Sequence, residues 1–129
     1  MDFPLGQANG GQQLQDAFAQ LNPNLPLISQ SANYTAAIGD ANKGVLHPAS
    51  DSNSRIFTIP ANSSVPYIIG TVLTFINRSA ASVSIAINSD TLILAGTTTT
   101  GTRTLVQNGI ATAIKTGTTE WLISGAGLS

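Results

Sequence analysis

A single histidine followed four residues later by an aspartate is the arrangement in this sequence that most resembles catalytic machinery. His47 and Asp51 lie in the segment 47–52, which reads HPASDS and places a serine on each side of the aspartate. A hydrolase triad needs a nucleophile, a base beside it and a third group that orients the base. Ser and Asp next to a proline are more often turn residues whose side chains bind nearby backbone amides. We therefore predict that His47 and Asp51 are structural and that the protein is not an enzyme.

The acidic residues do not form a metal-binding pattern. The six carboxylates are isolated along the chain and there are no cysteines. A site for a hard cation needs several oxygen ligands that converge. Asp40 with Asn42, or Asn88 with Asp90, could contribute ligands to one, but such pairs are more often plain turns. The sequence predicts neither a metal nor another cofactor.

The charge pattern argues against nucleic acid and membrane as partners. The net charge is −1, and the five basic residues are scattered rather than clustered, so they form no stripe that could follow a phosphate backbone. No apolar run approaches the roughly 18 residues of a membrane span, and the first residues lack the pattern of a secretory signal. We expect no binding to nucleic acid or membrane.

The chain is unusually poor in charge. Charged residues make up 9% of it, against about a quarter in an ordinary soluble domain. A surface of Thr, Ser, Asn and Gly leaves strand edges without the Lys and Glu that normally prevent pairing between molecules. We predict a homo-oligomer with closed symmetry.

The composition changes near residue 30, which divides the chain into an N-terminal arm, 1–30, and a β domain, 31–129. The arm contains one candidate helix, 11–21, because Leu14, Phe18 and Leu21 recur on one helical face. A helix this short is marginal alone, so its apolar stripe must dock on something. We predict that these three residues bind the partner; the alternative is an arm that packs on its own domain.

From Tyr34 onward the apolar residues alternate with polar ones. The clearest example is 82–88, SVSIAIN, which predicts a strand with one buried face. Eight or nine such strands in about 95 residues predict an all-β fold, a jelly-roll-like antiparallel β-sandwich. Trp121, within an apolar strand, is expected to anchor the core. The candidate strands are 34–38, 45–46, 55–59, 71–77, 82–88, 91–94, 103–106, 110–115 and 119–124.

A polar stretch between two glycines is a possible recognition loop. Residues 96–102 read GTTTTGT, and flanking glycines favour a loop at the rim of a sandwich. We consider Thr97, Thr98, Thr99 and Thr100 as its candidate contact residues.

Several ordered motifs resemble a surface module of tailed-bacteriophage virion proteins. They are AAIGDANKGVLHPASD at 36–51, RIFTIPANSSVP at 55–66, IGTVLTFIN at 69–77 and the ending EWLISGAGL at 120–128. The resemblance covers roughly residues 34–128. It implies a structural module of the kind found in head decoration and head-fibre proteins and at the ends of tail-fibre-like chains. Because such modules serve on three-fold-related sites, the resemblance also favours a trimer as the homo-oligomer.

Together these features predict a non-enzymatic virion protein made in the host cytoplasm. The short chain has no coiled-coil heptads to form a fibre shaft. We therefore expect a capsid decoration or cement protein on the outer surface of the head, whose partners are the major capsid protein and copies of itself. The main alternative is a module of a tail fibre or tail tip that binds a receptor or glycan. A carbohydrate-active enzyme is a third possibility, for which the sequence offers no paired carboxylates.

Overall fold

A computed structural model describes residues 24–129 of the chain. The predicted helix at 11–21, with Leu14, Phe18 and Leu21, lies outside the described residues.

The described part of the chain is built almost entirely from strands, which confirms the predicted all-β class. One 3-10 turn, Ile38–Asp40, interrupts them. The strands are β1 Leu27–Ser29, β2 Tyr34–Thr35, β3 Gly44–His47, β4 Arg55–Ile59, β5 Val72–Asn77, β6 Val83–Ile87, β7 Thr91–Leu94, β8 Arg103–Gly117 and β9 Glu120–Leu128.

The strands form a curled mixed sheet, and the predicted jelly-roll antiparallel sandwich is not confirmed. The first six strands alternate between two layers, so that β1, β3 and β5 pair in parallel in one layer and β2, β4 and β6 pair in parallel in the other. Parallel neighbours arise because the chain crosses to the opposite layer between successive strands. Antiparallel pairing is confined to the neighbours of β8.

The long strand β8 joins the two layers. Its first residues pair with β6, its later residues pair with β5, and β9 runs along its other edge. The sequence predicts a turn at 108–109, but the strand continues through this point with an irregular register between Leu105 and Ile110. Asn108 adopts a positive φ of 64° there, as expected for a β-bulge, which bends a strand without ending it.

β8 and β9 approach each other closely beside this bulge. A Cβ atom at Gly125 would lie 2.0 Å from the carbonyl oxygen of Ile110 and 2.6 Å from the Cα of Ala111. Only glycine fits this position, so Gly125 allows the last strand to pair with the bent part of β8.

The core lies between the two layers. Phe57 of β4 stacks on Phe75 of β5 with ring centroids 6.4 Å apart, which brings the layers face to face. Trp121 of β9 is fully buried and meets the ring of Tyr67 edge-on at 5.7 Å. The inward positions of β3, β5, β6, β8 and β9 supply most of the remaining core.

The first strand falls inside the segment predicted as the arm. Ile28 of β1 pairs with Val45 of β3, so residues 27–29 are part of the sheet.

Candidate interaction face

The layer containing β1, β3, β5, β8 and β9 turns rows of aliphatic side chains outward. Side chains alternate across a strand: Val45, Phe75 and Ala111 are in register and point into the core. The neighbouring row points outward and contains Leu46, Ile76 and Ile110. This surface, which we call the apolar face, therefore follows from the same alternation that builds the core.

Two further rows complete the apolar face. One row joins Val72, Ile114 and Leu122 across three strands, and the row between carries Thr74, Thr112 and Ser124. At the β1 edge, the side chains of Leu25 and Leu27 lie over Gly44. None of the outward positions in these rows carries a charge: Leu27, Ser29, Gly44, Leu46, Val72, Thr74, Ile76, Ile110, Thr112, Ile114, Leu122, Ser124 and Ala126.

Large aliphatic side chains are exposed on this face. Ile110 is 49% exposed and Ile114 is 40% exposed. The outward surface of the other layer differs, because its paired positions in β4 and β6 are Ile56 with Ser84 and Thr58 with Ala86. Ile56 is the large aliphatic residue among these four. A cluster of exposed aliphatic side chains on one face marks a site of association.

His47 and Asp51 meet in a buried polar network at one end of the curled sheet. His47 is fully buried, and its Nε2 lies 2.9 Å from Oδ2 of Asp51. Its Nδ1 lies 3.1 Å from Oδ1 of Asn77. The Asn77 amide nitrogen donates to the carbonyl oxygens of Ala81 and Leu105, which fixes Oδ1 as the atom that faces the ring. Both ring nitrogens therefore lie against oxygen atoms of the protein itself.

Arg55 completes the network from the start of β4. Its Nε donates to Oδ2 of Asp51 at 2.8 Å, and the hydrogen bonds from Arg55 and His47 hold the pKa of Asp51 well below its usual range. The Ser79 hydroxyl donates to the backbone oxygen of Asp51 at 2.6 Å. These contacts tie the loop after β3 to the loop after β5. The predicted structural role of His47 and Asp51 fits this geometry.

The opposite end of the curled sheet holds two tyrosines. The Tyr34 hydroxyl donates a hydrogen bond to Oδ2 of Asp40, which also accepts the backbone N–H of Ala37 at 2.8 Å. The Tyr67 hydroxyl donates to the carbonyl oxygen of Ala37 at 2.6 Å. The hydrogen bond to Asp40 raises the pKa of Tyr34 from 10.0 to about 12, and burial raises the pKa of Tyr67.

Alkaline pH should weaken the fold through Tyr34. A group whose pKa is higher in the folded state contributes its stability in full below the unfolded value, here 10.0, and loses it as the pH rises toward the folded value of about 12. We expect the urea concentration at the unfolding midpoint to fall as the pH rises across this interval. The fall should be less steep in Tyr34→Phe, in which Tyr67 is the one remaining tyrosine with a raised pKa. Equal slopes for the two proteins would contradict this assignment.

The four threonines of the candidate recognition loop are exposed and turn back onto β7. The Thr97 hydroxyl donates to the carbonyl oxygen of Leu94 at 2.8 Å and accepts the backbone N–H of Thr99 at 3.0 Å. Thr100 forms an isolated bridge with Ile93. The loop therefore covers the outer edge of β7. The Thr97 hydroxyl is already engaged in hydrogen bonds within this segment.

Residues 24–129 contain no cluster of three or more metal-binding side chains and no detected cavity. Within the same range, no helix is long and apolar enough to span a bilayer. The fully buried Lys115 at the tyrosine end was not singled out from the sequence. The pattern that could have indicated it is the alternation along β8, which places Lys115 on the same inward side as Ala111 and Ala113.

Comparison with known proteins adds no relative: no protein-family model matches the chain, and no curated protein matches it.

Proposed function

We propose that this protein is a structural component of a phage virion, a decoration or cement protein that binds the outer surface of the assembled head. The apolar face is the observation that carries the assembly of the protein into a structural component, because exposed aliphatic side chains clustered on one face mark a site of association. The motifs at 36–51, 55–66 and 69–77 support the assignment to a virion.

The apolar face is proposed as the contact between copies of the protein, in a homo-oligomer for which we favour a trimer. Its outward rows are uncharged, so burying them leaves no unpaired ion in the interface. Several copies joined in this way present several N-terminal arms to the capsid at once, and linked weak sites bind far more tightly than single ones.

Head stabilisation follows from selective binding. A protein that binds the assembled shell but not its separate subunits stabilises the shell by mass action. The major capsid protein is the partner that this mechanism requires, and the head surface is the location.

The test combines assembly state with head binding. The wild-type protein should sediment as an oligomer, bind heads that lack it and raise the temperature at which those heads open. The double variant Ile110→Lys with Ile114→Lys should sediment as a monomer, because two ammonium groups cannot be buried unpaired in the interface. Its apparent affinity for heads should fall roughly 100-fold, since avidity is lost.

Ile56→Lys is the matched control. Ile56 is 44% exposed, close to the 40% of Ile114, but it lies on the other layer. The Ile56→Lys substitution should leave both assembly and head binding unchanged. A wild-type protein that fails to bind heads, or a double variant that still sediments as the wild-type oligomer, would overturn the corresponding part of the proposal.

A module of a tail fibre or tail tip is the second candidate, favoured by the exposed threonines at 97–100. The number of copies per virion separates the two: hundreds indicate decoration, and a handful indicates a tail position. Turnover of a glycan by the purified protein would instead identify an enzyme.

A further inference from the structure

Lys115 is a buried amine held by neutral oxygen atoms. Its side chain is 1% exposed, and its Nζ donates to Oδ1 of Asn62 at 2.6 Å and to the carbonyl oxygen of Tyr67 at 2.8 Å. The ion pairs found within the described part of the chain involve Asp51 and do not include Lys115. A buried charge is costly without an ionic partner. The burial of this amine therefore needs an explanation.

The surroundings of Lys115 exclude water. Lys115 is in register with the fully buried Trp121, whose ring meets that of the buried Tyr67. Asn62 is half-buried and lies in the loop after β4. Amine and carboxamide are thus held together at the boundary between the core and solvent.

We propose that Lys115 and Asn62 are joined by an intramolecular isopeptide bond after the protein folds. The lone pair of Nζ, as the free amine, attacks Cγ of Asn62, a C–N bond forms, and the bond from Cγ to Nδ2 breaks. A proton passes from Nζ to the departing nitrogen, which leaves as ammonia. The reaction exchanges one amide for another and needs no oxidant, reductant or second substrate.

Fixed proximity is the main contribution of the fold to this reaction. Holding an amine against an amide makes the attack intramolecular, which is worth many orders of magnitude in effective concentration, and the free amine of a desolvated lysine is a competent nucleophile. Rotation about the Cβ–Cγ bond of Asn62, a broad torsion, moves Oδ1 aside and presents a face of the carboxamide to Nζ.

Asp90 is assigned to positioning Asn62. Its Oδ2 accepts the backbone N–H of Asn62 at 2.8 Å. This hydrogen bond holds the backbone of the reacting asparagine in place beside Lys115. The proposed bond is independent of the proposed virion function, because it lies within one chain.

The mass of the intact, denatured wild-type protein tests the proposal. We expect it to be lighter than the sequence requires by one molecule of ammonia. Trypsin should release one branched peptide in which 56–78 is joined to 104–129, because trypsin does not cut after an acylated lysine. Wild-type protein of full sequence mass that yields only the linear peptides 56–78, 104–115 and 116–129 would overturn the proposal.

Lys115→Arg is the control for other losses of ammonia. Arginine keeps the positive charge but forms no isopeptide bond, so this variant should have its full sequence mass. A deficit that persists in Lys115→Arg would point to cyclisation of an asparagine elsewhere, for which Asn108 before Gly109 is a candidate, and would overturn the proposal. Asp90→Ala, which removes the acceptor of the Asn62 N–H, should yield a mixture of linked and unlinked protein, and complete linkage in that variant would overturn the role of Asp90.

Discussion

Replacing Asn77 by alanine should lower the free energy of unfolding by about 4 kcal/mol. Asn77 is fully buried and satisfies four groups at once: its Oδ1 faces the His47 ring and accepts the backbone N–H of Ser79, and its amide donates to the carbonyl oxygens of Ala81 and Leu105. Alanine removes all of these bonds and leaves the partners buried. Urea denaturation of the wild type and the variant measures the loss.

Asn33→Ala is the matched control for this effect. Asn33 is exposed, and its side chain accepts a single backbone hydrogen bond, from Ile56 at 3.0 Å. Its replacement should cost about 1 kcal/mol, the net value of one hydrogen bond. Equal losses in the two variants would show that burial of the network around Asn77 is unimportant.

Deleting residues 1–23 should abolish binding to heads while leaving a folded and oligomeric domain. The proposed attachment depends on Leu14, Phe18 and Leu21, whereas β1 begins only at Leu27. The cut must not extend to residue 30, because it would then remove β1 and uncover the edge of β3. Co-sedimentation with heads measures binding, and the thermal midpoint of the truncated protein reports its fold.

A full-length variant in which Leu14, Phe18 and Leu21 are changed to serine separates the apolar stripe from the length of the arm. It should bind heads as poorly as the truncated protein. Full binding by the truncated protein would show that attachment uses the surface of residues 24–129 instead.

The sequence allowed the strands to be predicted better than their partners. The alternation in 82–88 and the proline after Ile59 correctly predict β6 and the end of β4. Alternation reports which face is buried but not the direction of the neighbouring strand, so the parallel pairing of β4 with β6 could not be predicted. β1 was missed because it has three residues and follows Pro26.

Local chemistry also misled the prediction at 108–109. Asn followed by Gly is a strong hairpin signal, but β8 accommodates the same positive φ in a bulge and continues. The contact between His47 and Asp51 lies within one loop, so their proximity was foreseeable. Asn77 joins that network across 30 residues of sequence, and no local pattern indicates such a contact. The apolar face is likewise a property of five assembled strands.

The position of β8 along the chain has a consequence for how the protein is made. Both layers close on β8, yet the chain order places β8 after β1 to β6. The earlier strands form parallel pairs between segments that are distant in sequence, and such pairs form slowly because loop closure precedes any gain from contact. During synthesis, the strand edges that pair with β8 stay unpaired until residues 103–117 have left the ribosome. Folding is therefore completed late, and the nascent chain passes through a period in which its strand edges are open to aggregation.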